Sequence, residues 1–286
     1  MIKSSQTAFI RKGEREIPAG FVLTPGGYRR EALIHLVPKG TRVQRRGGKI
    51  RQVERKTGRV ILRYDPVPSD EMIPDLGSGW ITYGWWLNNS GSPISQLSTQ
   101  WTVPPEPQNN AGKQTIFLFN GIENASKNEI VQPVLQWGVS AAGGGNHWAV
   151  TNWHVDSSGH VSCPNRPLQR VFPGDTLTGI VSLVSQNAGS FSYRSSFAEY
   201  PDLDLDVGAI DELVWVSATL EAYQVSQRTD FPNTPTTSMS SIAIAAGGLA
   251  PLVGWRIENQ VPDYGQSSGL ANAGNPGGQI DIDYGP

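Results

Sequence analysis

V-W-V-S-A-T-L-E-A-Y, residues 214–223, is the run on which the fold turns. Its apolar and aromatic residues recur with period two, the signature of a β-strand. The same signal returns at 97–103, 115–119, 131–139, 148–155, 176–184 and 238–244, each run bounded by Gly, Pro, Asn or Asp. No segment carries a long 3.6-residue pattern with helix caps. Seven such runs within about 180 residues predict an all-β body, either a two-sheet sandwich or a closed barrel.

Composition agrees. The 286 residues hold 32 Gly and 21 Pro, with 17% charged residues, which suits a turn-rich β protein better than a helical one. The longest apolar candidate, 242–255, has 14 residues with three Gly and a Pro, too short and too broken to span a membrane as a helix. The single cysteine, Cys163, excludes an intrachain disulfide. Residues 1–20 contain no apolar run of the kind an ordinary export signal requires.

The net charge of −2 conceals a split. Residues 1–63 carry 16 Lys/Arg against 4 Asp/Glu, a sum of +12; residues 64–286 carry 7 against 21, a sum of −14. The basic part shows short extended patterns (32–37, 59–64) between turns at Pro25-Gly26-Gly27, Pro38-Lys39-Gly40 and Gly47-Gly48. It reads as a small β-rich appendage. Nucleic-acid binding would call for interleaved stacking aromatics, and only Phe9, Phe21 and Tyr28 occur there. No nucleic-acid partner is expected. A solvated basic face and docking on the acidic remainder of the same chain both stay open. A Pro/Asp-rich linker (64–79) leads to the body (80–258), and a Gly/Asn-rich tail (259–286) is expected to be loose.

Most of the usual chemistries lack their signatures. His147, His154 and His160 come without C-x-x-C or H-E-x-x-H, so no metal or other cofactor is expected. There is no G-x-S-x-G, and A-A-G-G-G-N at 141–146 reads as a hairpin turn rather than a phosphate loop. Polar residues inside apolar strands are more informative: Gln136 in V-L-Q-W-G-V (134–139) and Glu221 in the run quoted first. Each could simply face solvent. Alternatively the two project from one concave sheet face, where a partly desolvated carboxyl has a raised pKa and an amide offers neutral N–H donors. Trp85 and Trp86 are adjacent, so a strand cannot aim both at one core. One of them is expected to line a groove or contact the appendage.

Six segments in order resemble the glutamic peptidase (eqolisin) family: T-Q-W-T-V-P (99–104), F-N-G-I-E-N (119–124), V-L-Q-W-G-V (134–139), V-T-N-W-H-V-D (150–156), V-F-P-G-D-T-L (171–177) and the Glu221 strand with Phe231-Pro232 beyond it. The resemblance implies a concanavalin A-like antiparallel β-sandwich and an acid-active endopeptidase that acts on polypeptides without metal. It implies that Gln136 and Glu221 are catalytic, and that Trp85 or Trp86, Phe119, Glu123 and Asn152 line the substrate groove. Phe119 stands where the family has Trp, and Val150 and Asn152 stand where it has Trp and Glu. The resemblance also implies export and a basic prosegment that masks an acidic enzyme. Two other functions remain: a carbohydrate- or protein-binding sandwich without chemistry, and a glycoside hydrolase using Glu221 with Glu123, which needs carboxyls about 5–9.5 Å apart.

Overall fold

The computed structural model describes residues 19–46, 49–69, 71, 73–166 and 168–286. The expected Gly47-Gly48 turn and residues 1–18 of the basic segment lie outside the described residues. In chain order the first strands are β1 (Phe21–Thr24), β2 (Gly27–Arg30), β3 (Ile34–Val37), β4 (Thr41–Arg46), β5 (Lys49–Glu54) and β6 (Val60–Arg63). The body supplies β7 (Trp80–Leu87), β8 (Ile94–Thr102), β9 (Thr115–Asn124), β10 (Ile130–Ser140), β11 (Gly143–Val155), β12 (Val161–Pro164), β13 (Gln169–Arg170) and β14 (Thr176–Asn187). It continues with β15 (Ser190–Phe197), β16 (Leu205–Ile210), β17 (Leu213–Tyr223), β18 (Thr236–Ala246) and β19 (Arg256–Asn259), and β20 (Ser267–Asn272) and β21 (Gly278–Asp283) close the chain.

Two large sheets face each other. One runs β19-β7-β17-β9-β10-β11-β12-β3, with β13 also on β11; the other runs β20-β21-β18-β8-β14-β15-β16-β4-β5-β6. Their facing sides share one core. β17 contributes Val216, Ala218, Leu220 and Ala222, while the second sheet contributes Trp101, Val181, Tyr193, Phe197 and Ile280. Gly179 sits at the closest approach: a Cβ there would lie 2.5 Å from Asn120 Oδ1 and 2.7 Å from the Trp101 ring. Only glycine lets the Asn120 amide reach across to the Gly179 carbonyl at 3.2 Å.

The pairing is antiparallel except at two seams, where β3 joins β12 and β4 joins β16 in parallel. The β-rich N-terminal appendage packs onto the sandwich edges. β3 extends one sheet at β12 and β4–β6 extend the other at β16, pairing edge N–H and C=O groups that would otherwise be left open, while β1 and β2 pair only with each other. Ion pairs follow the same seams, with Arg45 on Glu129 and Asp211, Arg55 on Asp206 and Lys39 on Asp202. One expectation is corrected: the tail is not loose. β20 and β21 pair with each other and β21 with β18, and Ile280, Ile282 and Tyr284 are fully buried. The alternation I-D-I-D-Y at 280–284 is a strand signal inside a Gly/Asn-rich composition.

Candidate active site

β9 lies between β10 and β17, and its Phe117 is the Cα partner of Gln136 on one side and of Glu221 on the other. Laterally paired residues point to the same face, so the amide and the carboxyl stand on one face of one sheet, their backbones two strand spacings, about 10 Å, apart. It is the face turned away from the inter-sheet core. Phe117, Phe119, Val134, Trp153, Trp215 and Tyr223 line it, with Trp80 and Tyr83 from β7.

This face is covered rather than hollow. The β1–β2 hairpin and Leu76 pack on it. At the tip, Thr24-Pro25-Gly26-Gly27 turns with Pro25 in the second position and Gly26 at φ +89° in the third, as a type II turn requires. The Gly26 N–H donates to Glu221 Oε1 at 2.8 Å. The Tyr223 hydroxyl donates to the same oxygen. Glu221 is fully buried, and burial raises its carboxyl pKa to about 7, against the pull of the Tyr223 hydroxyl, the Gly26 N–H and the Arg29 charge. Arg29 on β2 is itself buried, which lowers its pKa.

Gln136 is held as well. Its Nε2 donates to the carbonyls of Gly138 (2.8 Å) and Gly143 (3.0 Å), at the base of the β10–β11 turn. That turn is tied to the hairpin, since Ala141 N–H donates to the Leu23 carbonyl at 2.7 Å. The buried Oε1 of Gln136 and Oε2 of Glu221 have no hydrogen-bond partner. The same holds for Thr219 Oγ1, Ser217 Oγ, Gln132 Oε1, Glu123 Oε1 and Trp153 Nε1, all placed on this face by register. Orphaned buried polar atoms are individually costly. A row of them on one face suits a polar chain laid along it.

The other expected residues divide between the two faces. Phe119 is fully buried on the site face, opposite Thr219 and Val134. Glu123 lies on it too, with burial pushing its pKa up to about 8 and Lys127 opposing. Trp85, half-buried, stacks on Trp215 at 5.2 Å; Lys127 lies 4.0 Å from the Trp215 centroid and Arg256 5.2 Å from that of Trp85. Trp86 and Asn152 do not belong to the site. Trp86 is buried in the inter-sheet core, as strand alternation demands once Trp85 faces out. Asn152 points between the sheets, donating to the Leu203 carbonyl at 2.7 Å and accepting from Ser195 Oγ at 2.7 Å.

Glu123 lies six residues along β9 from Phe117, about 20 Å from the level of Glu221 at about 3.3 Å per residue. That exceeds the separation a two-carboxylate glycosidase uses, so this pairing is overturned. Among the described residues no group of three or more His, Cys, Asp or Glu could hold a metal ion, and no helix is long and apolar enough to cross a membrane. Tyr223 and Gly26 were not anticipated. Tyr223 could have been: two residues beyond Glu221 on a strand, it shares its face.

No protein-family model and no curated protein matches the chain. Among solved structures it is similar to a scytalido-glutamic peptidase with a peptide-based transition state analog: TM-score 0.45, 12% identity, 72% of this chain and 98% of that one. It is also similar to SCP-B, a member of the eqolisin family of peptidases in a complex with the tripeptide Ala-Ile-His: TM-score 0.41, 13% identity, 72% of this chain and 98% of that one.

Proposed function

We propose that the chain is a metal-independent, acid-active endopeptidase held in a covered resting form. The observation that carries this reading is the shared register of Gln136 and Glu221 opposite Phe117 on one sheet face. In the resting form the base is occupied by the Gly26 N–H and both amide hydrogens of Gln136 by Gly138 and Gly143. Withdrawal of β1–β2 hydrates Glu221, so its pKa falls back toward the carboxylate range and it ionises in mild acid. It also unties the 138–143 turn and lets the amide swing into the face.

Glu221 then takes a proton from water while the water oxygen bonds to the scissile carbonyl carbon. The Gln136 amide donates to the developing oxyanion. Glu221 returns the proton to the departing amine nitrogen as the C–N bond breaks. A carboxyl base and a neutral donor both work at acid pH, where a histidine base would be protonated. Glu123, Trp85 and Trp215 extend the face as substrate contacts. The basic N-terminal strands act as the mask, drawn to the acidic body by charge.

Digestion of casein at pH 2–5 by the wild type and by Glu221→Gln tests the reading. Cleavage by the wild type and none by the variant is the expected result. Equal cleavage by both removes Glu221 from the chemistry.

A further inference from the structure

Two histidines from distant parts of the chain meet where β3 joins β12. His35 Nε2 and His160 Nδ1 lie 2.8 Å apart, at the register Ser162↔His35. Two facing ring nitrogens hold a hydrogen bond only when one carries a proton and the other does not. A neutral or singly protonated pair keeps the bond. A second proton sets N–H against N–H and puts two like charges side by side.

The surroundings make that second charge hard to accommodate. His160 is buried, and the Tyr64 ring stacks flat on His35 with centroids 3.5 Å apart. A cavity of about 360 Å³ adjoins the pair, bordered by Tyr64, His160, Lys49, Asp65, Glu71 and Ser158. Lys49 adds a positive charge there, and Asp65 and Glu71 add acidic groups. Asp156 is the nearest compensating group, but its Oδ1 already accepts from the N–H groups of Ser158 and His160, and its Oδ2 has no partner. Behind it His154 is bonded to Glu129 at 3.0 Å, and Glu129 also holds Arg45 of β4.

We propose that His35 and His160 form a proton-operated latch that holds the N-terminal strands on the sandwich at neutral pH and releases them on acidification, withdrawing the β1–β2 hairpin from Glu221. That the uncovered face then cleaves peptides rests on the reading above; the latch does not.

The sign follows from the shifts. Burial first, then the His160 charge, lowers the His35 pKa to about 3, with Asp156 opposing. Burial also lowers that of His160. A released His35 titrates near 6.5, so between about 6.5 and about 3 the open form binds the extra proton. Each pH unit down shifts the balance toward opening by up to about tenfold. Glu221, raised to about 7 under the hairpin, works the other way from about 7 down to about 4.5. Below about 4.5 Glu221 no longer opposes the histidines, and loss of the Lys39–Asp202 pair acts in the same direction as they do, so opening falls between about pH 4.5 and 3.

The test is performed on the full chain. Imidazole NMR titration of the wild type should show His35 protonating below pH 4, and hydrogen exchange should show β3 amides losing protection over the same range. His35→Gln and His160→Gln, which cannot form the charged pair, should move that loss at least one pH unit lower. His35 titrating near 6.5 in the folded chain, or an unmoved opening midpoint in both variants, overturns the latch. The wild-type titration decides even where a variant does not fold. Opening that follows His35 without casein cleavage supports the latch and overturns the peptidase reading.

Discussion

Gly26→Ala is the most informative perturbation of the covered site. Gly26 occupies φ +89°, where an L side chain costs about 1–2 kcal/mol. An added Cβ would also sit 3.1 Å from Leu76 Cδ2, so that methyl must give way by a few tenths of an ångström. A total near 2 kcal/mol against the covered form is an about 30-fold shift toward the open one, at about 1.4 kcal/mol per factor of ten. The reporter is the Ala141 amide, whose hydrogen bond to Leu23 ties the turn to the hairpin. Its hydrogen exchange should quicken about 30-fold, and casein cleavage at pH 4–5 should rise. Unchanged exchange at Ala141 would refute the claim that the Gly26 turn pins the hairpin to the site.

Other expectations follow from burial and charge. Trp148→Ala should cost about 3–5 kcal/mol in urea unfolding, because a fully buried ring packed edge-on against Trp137 leaves a large cavity. Asn152→Asp, which turns a carboxylate toward the Leu203 carbonyl, should cost about 1–3 kcal/mol of stability and leave KM unchanged. Glu123 carries a pKa raised to about 8, so the folded state holds a proton the unfolded state releases above about 4.5; stability should fall as pH rises from about 4.5 to 8. Glu123→Gln should flatten that slope in a Tm-against-pH series. Cutting the chain in the exposed 65–69 linker should raise acid casein cleavage, measured beside the uncut chain.

The sheet face was legible wherever alternation was clean. Val216, Ala218, Leu220 and Ala222 turn to the core, and Glu221 therefore turns away from it. The Trp85–Trp86 pair resolves by the same rule. Asn152 was misread because likeness to a neighbouring motif carried more weight than its register: it pairs with Pro133, whose neighbours Gln132 and Val134 face the site. The β1–β2 hairpin was not legible. Its contact with Glu221 spans 195 residues and is made by a backbone N–H, which leaves no trace in side-chain chemistry. The tail was hidden by composition, since glycine and asparagine outnumber the three residues that bury it.

The central claim is that Gln136 and Glu221 act on one substrate bond as a unit, and a double-mutant cycle on casein cleavage at acid pH tests it most directly. If they do, Gln136→Ala and Glu221→Gln each remove most of kcat, and the double variant is little worse than Glu221→Gln alone. Losses that multiply as independent factors, or a Gln136→Ala variant as active as the wild type, would contradict it.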